Sequence, residues 1–168
     1  MIEPFADVVE ANRSYAEDFH LKGLAGHAGR ELAVVTCIDS RIEPLEMLGL
    51  KPGDSKILRN AGARITNDAH RSLVLATNLL DVRRIMVVAH TDCAMSGKSD
   101  AELHEAISEA SDGRVDATGL VLHSAQDQHE TLRADVERLR RSTQLAPGVT
   151  VAAFIYDVDT GLIHHVAT

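Results

Sequence analysis

The chain of 168 residues sets 17 Lys and Arg against 25 Asp and Glu, a formal net charge of −8, with 45% hydrophobic residues. Such a length and balance read as one globular domain, residues 1–168, able to bury a core without staples, and the acidic surplus argues against nucleic acid or an anionic membrane as partner. No apolar run approaches the length of a membrane span, the first residues with Glu3 and Asp7 do not read as a signal peptide, and two cysteines are too few for a disulfide framework, so a cytoplasmic home is expected.

In chain order, residues 4–20 show helical spacing through Phe5, Val8, Val9, Tyr15, Ala16 and Phe19, with Glu10, Arg13, Glu17 and Asp18 on the other side. Three of the five aromatic residues fall in that stripe, which either packs on its own sheet or docks on a second subunit. A loop, 21–30, leads into a strand over 32–38, a run of β-branched and small apolar residues. Pro44 suits the first turn of a short helix over 43–48 and Gly49 stops it. A second strand, 55–59, ends in Asn60-Ala61-Gly62, and Thr66 or Asn67 caps a helix over 68–80 with Leu73, Ala76, Leu79 and Leu80 inward. The third strand is 84–89. Beyond a polar, acidic stretch holding one helix, 101–110, come a charged amphipathic helix over 126–141, a fourth strand over 150–156 and, past Asp159-Thr160-Gly161, a fifth over 162–166. Helices alternating with strands give an α/β fold, a mostly parallel central sheet flanked by helices and closed by an antiparallel edge strand.

Chemistry concentrates at two strand ends. The first runs into Cys37, Asp39 and Arg41, at alternate positions; the third runs into His90 and Cys93. The carboxyl ends of parallel strands are where open α/β sheets place their sites. Zinc favours thiolate and imidazole in a tetrahedron, and Cys37, His90 and Cys93 supply three such ligands. Taken singly, each has a plainer reading: an inert buried cysteine, one of nine histidines beside a thiol by coincidence, an ion pair closing a loop. All of them together at two strand ends outweigh those readings. Three protein ligands leave a fourth position, closed by Asp39 or open with Asp39 held away by Arg41.

The three motifs C-x-D-S-R (37–41), R-N-A-G (59–62) and H-x-x-C (90–93), in this order and spacing, resemble the β-class carbonic anhydrases, the short prokaryotic members above all. The resemblance runs from about Val34 to Cys93. It implies an α/β fold, one zinc ion per chain on Cys37, His90 and Cys93, and Asp39 with Arg41 as the catalytic dyad. It also implies reversible hydration of carbon dioxide to bicarbonate, and homodimers or larger homo-oligomers in which the amino-terminal helix, residues 1–20, lies across the partner. The chemistry also follows from the residues. Zinc acidifies its bound water so that hydroxide exists near neutrality; Asp39 accepts a hydrogen bond from that hydroxide, and Arg41 keeps Asp39 ionised and turned from the metal.

Two departures stand out. Ala94 follows Cys93 where the family generally has glycine, which bears on the backbone path and the pocket shape. The absence of tryptophan means that the Trp-containing bicarbonate pocket of some members is not carried over. His70, His104, His123 and His129 read as surface helix residues, and the group that passes the proton to bulk water is not identifiable among them. Two rivals accompany the main reading: a carbon disulfide or carbonyl sulfide hydrolase on the same zinc site, and a non-catalytic zinc protein with Asp39 as permanent fourth ligand.

Overall fold

The computed structural model describes residues 3–168. After a 3-10 turn, Glu3–Phe5, the elements are α1 (Ala6–Glu17), β1 (Leu32–Cys37), α2 (Pro44–Met47), β2 (Ser55–Asn60), α3 (Asn67–Leu79), β3 (Arg84–His90), α4 (Asp100–Ala110), α5 (Gln128–Arg140), β4 (Thr150–Tyr156) and β5 (Ile163–Val166). The five strands form one sheet in the order β2-β1-β3-β4-β5. β1, β2, β3 and β4 are mutually parallel, and β5 pairs antiparallel with β4, the expected α/β architecture with its antiparallel edge. Every strand end lies within one residue of the expected place.

The hydrophobic pattern explains the layering. All six residues of β1 are buried, as a central parallel strand covered on both faces requires. On one face Ala33, Val35, Ile85, Val87 and Ala153 meet Leu73 and Ala76 of α3 and Leu132, Val136 and Leu139 of α5, forming the main core. The other face is thinner. There Leu32, Val34 and Val88 are buried, with Met47, Leu48, Leu50, Ile57, Met86, Phe154 and Tyr156 only partly so.

Caps set the helix starts. The Thr66 hydroxyl accepts the Ala69 N–H at 3.2 Å, Asp127 accepts that of Glu130 at 3.0 Å, and Ser99 with Glu102 forms a reciprocal capping box. Asp127 at the cap is why α5 begins two residues later than the 126 its spacing suggests. Leu79 corrects the expected inward face of α3: its side chain is 65% exposed. Ala69, Leu73, Ala76 and Thr77 make the buried stripe, and at 100° per residue Leu79 falls well outside it.

α1 spans most of the amphipathic stretch and buries none of its residues. Of the two readings of its aromatic stripe, packing on the chain's own sheet is excluded: Phe5, Val8, Val9, Tyr15 and Phe19 are each 42–57% exposed.

Strand order places the crevice. From β1 the chain goes to β2 on one side, and β3 comes in on the other, so the order reverses between β1 and β3. The crevice outside their carboxyl ends is the switch point at which such sheets bind ligands.

Candidate metal centre

β1 ends on Cys37, 4% exposed, and β3 reaches as far as His90, 1% exposed. Just beneath them the Thr36 hydroxyl donates to the Val88 carbonyl at 2.9 Å and locks the two strands together. One turn beyond His90 the chain brings Cys93 back. The donor atoms of Cys37, His90 and Cys93 all lie within 4.8 Å of one another, the one such cluster among the described residues. Tetrahedral zinc with bonds of about 2.0–2.3 Å needs donors roughly 3.5–3.8 Å apart, which that spacing accommodates.

The donors are poised for a cation. His90 Nε2 is buried and has no hydrogen-bond partner, an arrangement that costs free energy unless something binds it. Its other ring nitrogen, Nδ1, lies 2.8 Å from the Thr91 carbonyl, an acceptor only, so Nδ1 carries the proton and Nε2 offers its lone pair to the cluster. The two thiols act on each other: the neighbouring Cys93 thiol, against the opposing effect of burial, lowers the Cys37 pKa, and the same interaction pushes Cys93 up. A divalent cation would displace the thiol proton and be ligated by both thiolates. The residues therefore fit zinc.

Asp39 borders this cluster without joining it. Its Oδ2 lies 3.9 Å from His90 Nε2, yet both its oxygens face Arg41. Oδ1 accepts the Arg41 backbone N–H at 2.9 Å and Nε–H at 3.0 Å, and Oδ2 accepts Nη2–H at 2.8 Å. The bond to its own turn is an Asx-type closure that Asp makes readily. The bidentate guanidinium holds the Asp39 pKa well below the usual carboxylate range and raises that of Arg41. Of the two arrangements the sequence allows, the structure has Asp39 turned to Arg41.

The R-N-A-G segment, which enters the sequence reading only as a motif, supports the cluster from the end of β2. Arg59 Nε–H donates to the Cys37 carbonyl at 2.9 Å and Nη2–H to the Asp39 carbonyl at 2.7 Å. Asn60 closes the following turn, exchanging bonds with the Arg64 N–H at 2.8 Å and carbonyl at 2.7 Å. The Gly62 N–H donates to Cys37 Sγ at 3.3 Å. Only glycine suits that place: φ is +77° and a Cβ would sit 3.2 Å from Met95 Cβ. Gln128, at the start of α5, donates to the His90 carbonyl at 3.0 Å and to Ser96 Oγ at 2.8 Å. Its position far along the chain from any motif gave no signal in the sequence.

A cavity of about 150 Å³ opens onto the donors, and Ile38, Ala61, Ala94 and Met95 supply its apolar wall. Ala94, the departure from glycine, does not take a positive φ, so the backbone path accepts its side chain without left-handed strain. The other histidines lie elsewhere. His70 Nε2 is 2.8 Å from Ser142 Oγ, and His104 Nε2 is 2.8 Å from the Leu120 carbonyl. His123 corrects its expected helical place: it sits in the loop before α5 with φ +58°.

Residues 32–163 match the family model described as carbonic anhydrase. The chain is 33% identical over 165 residues to Beta-carbonic anhydrase 1 of Mycobacterium tuberculosis, covering 95% of this chain and 96% of that protein. It is 29% identical over 177 residues to a carbon disulfide hydrolase of Saccharolobus solfataricus, covering 92% and 87%. Among solved structures, the carbonic anhydrase of Streptococcus mutans superposes with a TM-score of 0.87 at 36% identity, covering 97% of both chains.

Proposed function

Because the chain belongs to the β-class carbonic anhydrase family, we propose that it interconverts carbon dioxide and bicarbonate at one zinc ion per chain, held by Cys37, His90 and Cys93, with Asp39 and Arg41 as the catalytic pair. When bound there, zinc acts as a Lewis acid and makes hydroxide available near neutral pH. The observation that carries the reading is Asp39, ionised and turned to Arg41, beside three soft donors with a fourth position left over.

The chain's own residues do the remaining work. His90 presents Nε2 because the Thr91 carbonyl holds Nδ1–H. The Gly62 N–H softens the negative charge on the Cys37 sulfur, and Arg59 fixes the backbone from Cys37 to Asp39. Asp39, held ionised by Arg41, accepts the hydrogen bond of the attacking O–H and so orients its lone pair toward the substrate carbon. The apolar wall of Ile38, Ala61, Ala94 and Met95 suits a small uncharged substrate and limits water in the cavity.

The pair of Asp39 with Arg41 also weighs against a permanently closed, non-catalytic site, because both carboxylate oxygens are already engaged. Over nearly the full chain the carbon disulfide hydrolase is less similar, at 29% identity, than Beta-carbonic anhydrase 1, at 33%. Stopped-flow hydration of carbon dioxide by zinc-loaded protein, from about neutral pH upward and with carbon disulfide in parallel, tests the reading. Hydration that depends on zinc and exceeds any turnover of carbon disulfide is expected; turnover of carbon disulfide alone would replace it.

A homodimer or larger homo-oligomer completes the proposal. The exposed aromatic face of α1 and the thinly covered face of the sheet support it. Among the described residues no helix is long and apolar enough to cross a membrane.

A further inference from the structure

Asp92 lies between two of the three donors, His90 and Cys93, and takes φ +53°, a left-handed conformation that aspartate and asparagine adopt more readily than other non-glycine residues. Here it aims two acceptors at one partner. Arg41 Nη1–H donates to Asp92 Oδ2 at 2.8 Å, and Arg41 Nη2–H donates to the Asp92 carbonyl at 3.1 Å. The adjacent edge of the same guanidinium, Nε with the shared Nη2, carries the bidentate pair with Asp39. All three guanidinium nitrogens are thus engaged, and one side chain bridges the turn after β1 to the turn after β3.

The Asp92 side chain is 80% exposed, and Arg41 is the partner of its carboxylate. The Arg41–Asp39 pair is bidentate, with Asp39 19% exposed, but Arg41 is itself 43% exposed, so its outer Nη1 is free unless a second partner holds it. A second anchor fixes the plane of the guanidinium, and a fixed plane is what a bidentate partner reads. The base of the second anchor is itself firm: the Thr91 N–H donates to the Tyr156 carbonyl at 2.9 Å and Thr91 Oγ1 accepts the Val158 N–H at 3.1 Å.

We propose that Asp92 is a positioning residue: by clamping Arg41 from the metal-ligand turn it keeps Asp39 beside the open coordination position and out of it. The inference rests on the proposed role of Asp39 and Arg41. It assigns the clamp to a residue that touches neither substrate nor metal.

The test uses two variants of the full chain loaded with cobalt(II) as a spectroscopic stand-in for zinc, with azide as the anion probe. Asp92→Gly removes the carboxylate while tolerating the positive φ, and leaves the backbone carbonyl at 3.1 Å as the acceptor that remains for Arg41 in this turn. Asp92→Asn keeps the shape, the tolerance of the left-handed region and one acceptor for Arg41. With the carboxylate half of the clamp gone, Arg41 loses its fixed plane and Asp39 takes the open position for most of the time. Azide then binds Asp92→Gly about tenfold more weakly, as a fall of the competent fraction to roughly a tenth requires. Metal content and melting temperature stay near the parent's, Asp92→Asn binds azide much as the parent does, and kcat falls in Asp92→Gly with KM little changed. Parental azide binding by Asp92→Gly would overturn the proposal. Loss of metal or of folding in Asp92→Gly would overturn it as well, since Asp92 would then be holding the ligand turn rather than Arg41. The azide readout needs no turnover: a parent inactive toward carbon dioxide would sink the proposed reaction, whereas the clamp stands or falls on the cobalt spectra.

Discussion

Arg41→Ala removes every side-chain bond that turns Asp39 from the cluster, leaving that carboxylate only the backbone N–H at position 41. A freed carboxylate whose neighbouring His90 Nε2 is 3.9 Å away can reach the open metal position and exclude water from it. We therefore expect Arg41→Ala to retain zinc and to be nearly inactive at neutral pH. Asp39→Ala differs, because nothing then competes for the metal but the orienting acceptor is gone. Its activity should fall by roughly 10²-fold without vanishing, the scale of a lost positioning contact. The pH profile separates the two. The Asp39 pKa is depressed by Arg41, so in the parent this group is already ionised below neutrality, and a rise of activity above pH 7 comes from the supply of hydroxide instead. Arg41→Ala should regain activity as pH rises, because hydroxide displaces the carboxylate, whereas Asp39→Ala should follow the parent's profile at a lower level. Stopped-flow rates across the pH range measure both, and a parental rate for Arg41→Ala at neutral pH would reduce the dyad to a structural ion pair.

The strands bring the donors together because parallel neighbours in register present their carboxyl ends at one level, and Thr36 of β1 stands opposite Val88 of β3. Cys37 and Cys93 come from the two sides of the crevice, so losing either opens the cluster. Cys37→Ser and Cys93→Ser should each lose most of the zinc by elemental analysis and melt at a lower temperature than the parent, since a neutral hydroxyl replaces a thiolate ligand. Full zinc retention in both would refute the site. These donors were legible in the sequence because each ends an apolar β-branched run, and such runs declare buried strands whatever follows them. What supports them was less so. Arg59 acts through the carbonyls of Cys37 and Asp39, contacts that depend on β2 lying beside β1, which the order of elements along the chain leaves undetermined. Gln128 reaches the His90 carbonyl from a helix 38 positions away, and no local pattern encodes that meeting. Leu79 misled for the converse reason: an apolar residue near helical spacing reads as core, yet its angle around α3 turns it to the surface.

At the scale of the whole molecule, apolar surface is distributed in a way that one copy does not satisfy. The main core is closed by α3 and α5, but the opposite face of the sheet buries only Leu32, Val34 and Val88. α1 and the residues flanking it meanwhile leave Phe5, Val8, Val9, Tyr15 and Phe19 exposed, with the Tyr15 and Phe19 rings in an edge-to-face pair 5.7 Å apart. An exposed apolar stripe of this kind marks an interaction surface. A 12-residue helix is also marginal in water when it buries none of its own residues. Docking α1 on a second copy resolves both problems, and the aromatic side chains would dominate the contact energy. Deleting residues 1–20 should therefore shift the assembly toward monomer in light scattering. Zinc content should be preserved, because the ligands at positions 37, 90 and 93 all lie outside the deleted stretch. A double substitution, Phe5→Ser with Phe19→Ser, should give the same shift with the chain kept at full length, which separates loss of the stripe from loss of chain. If both proteins keep the parent's mass per particle, α1 is not the contact, and the thin face of the sheet must be covered in another way.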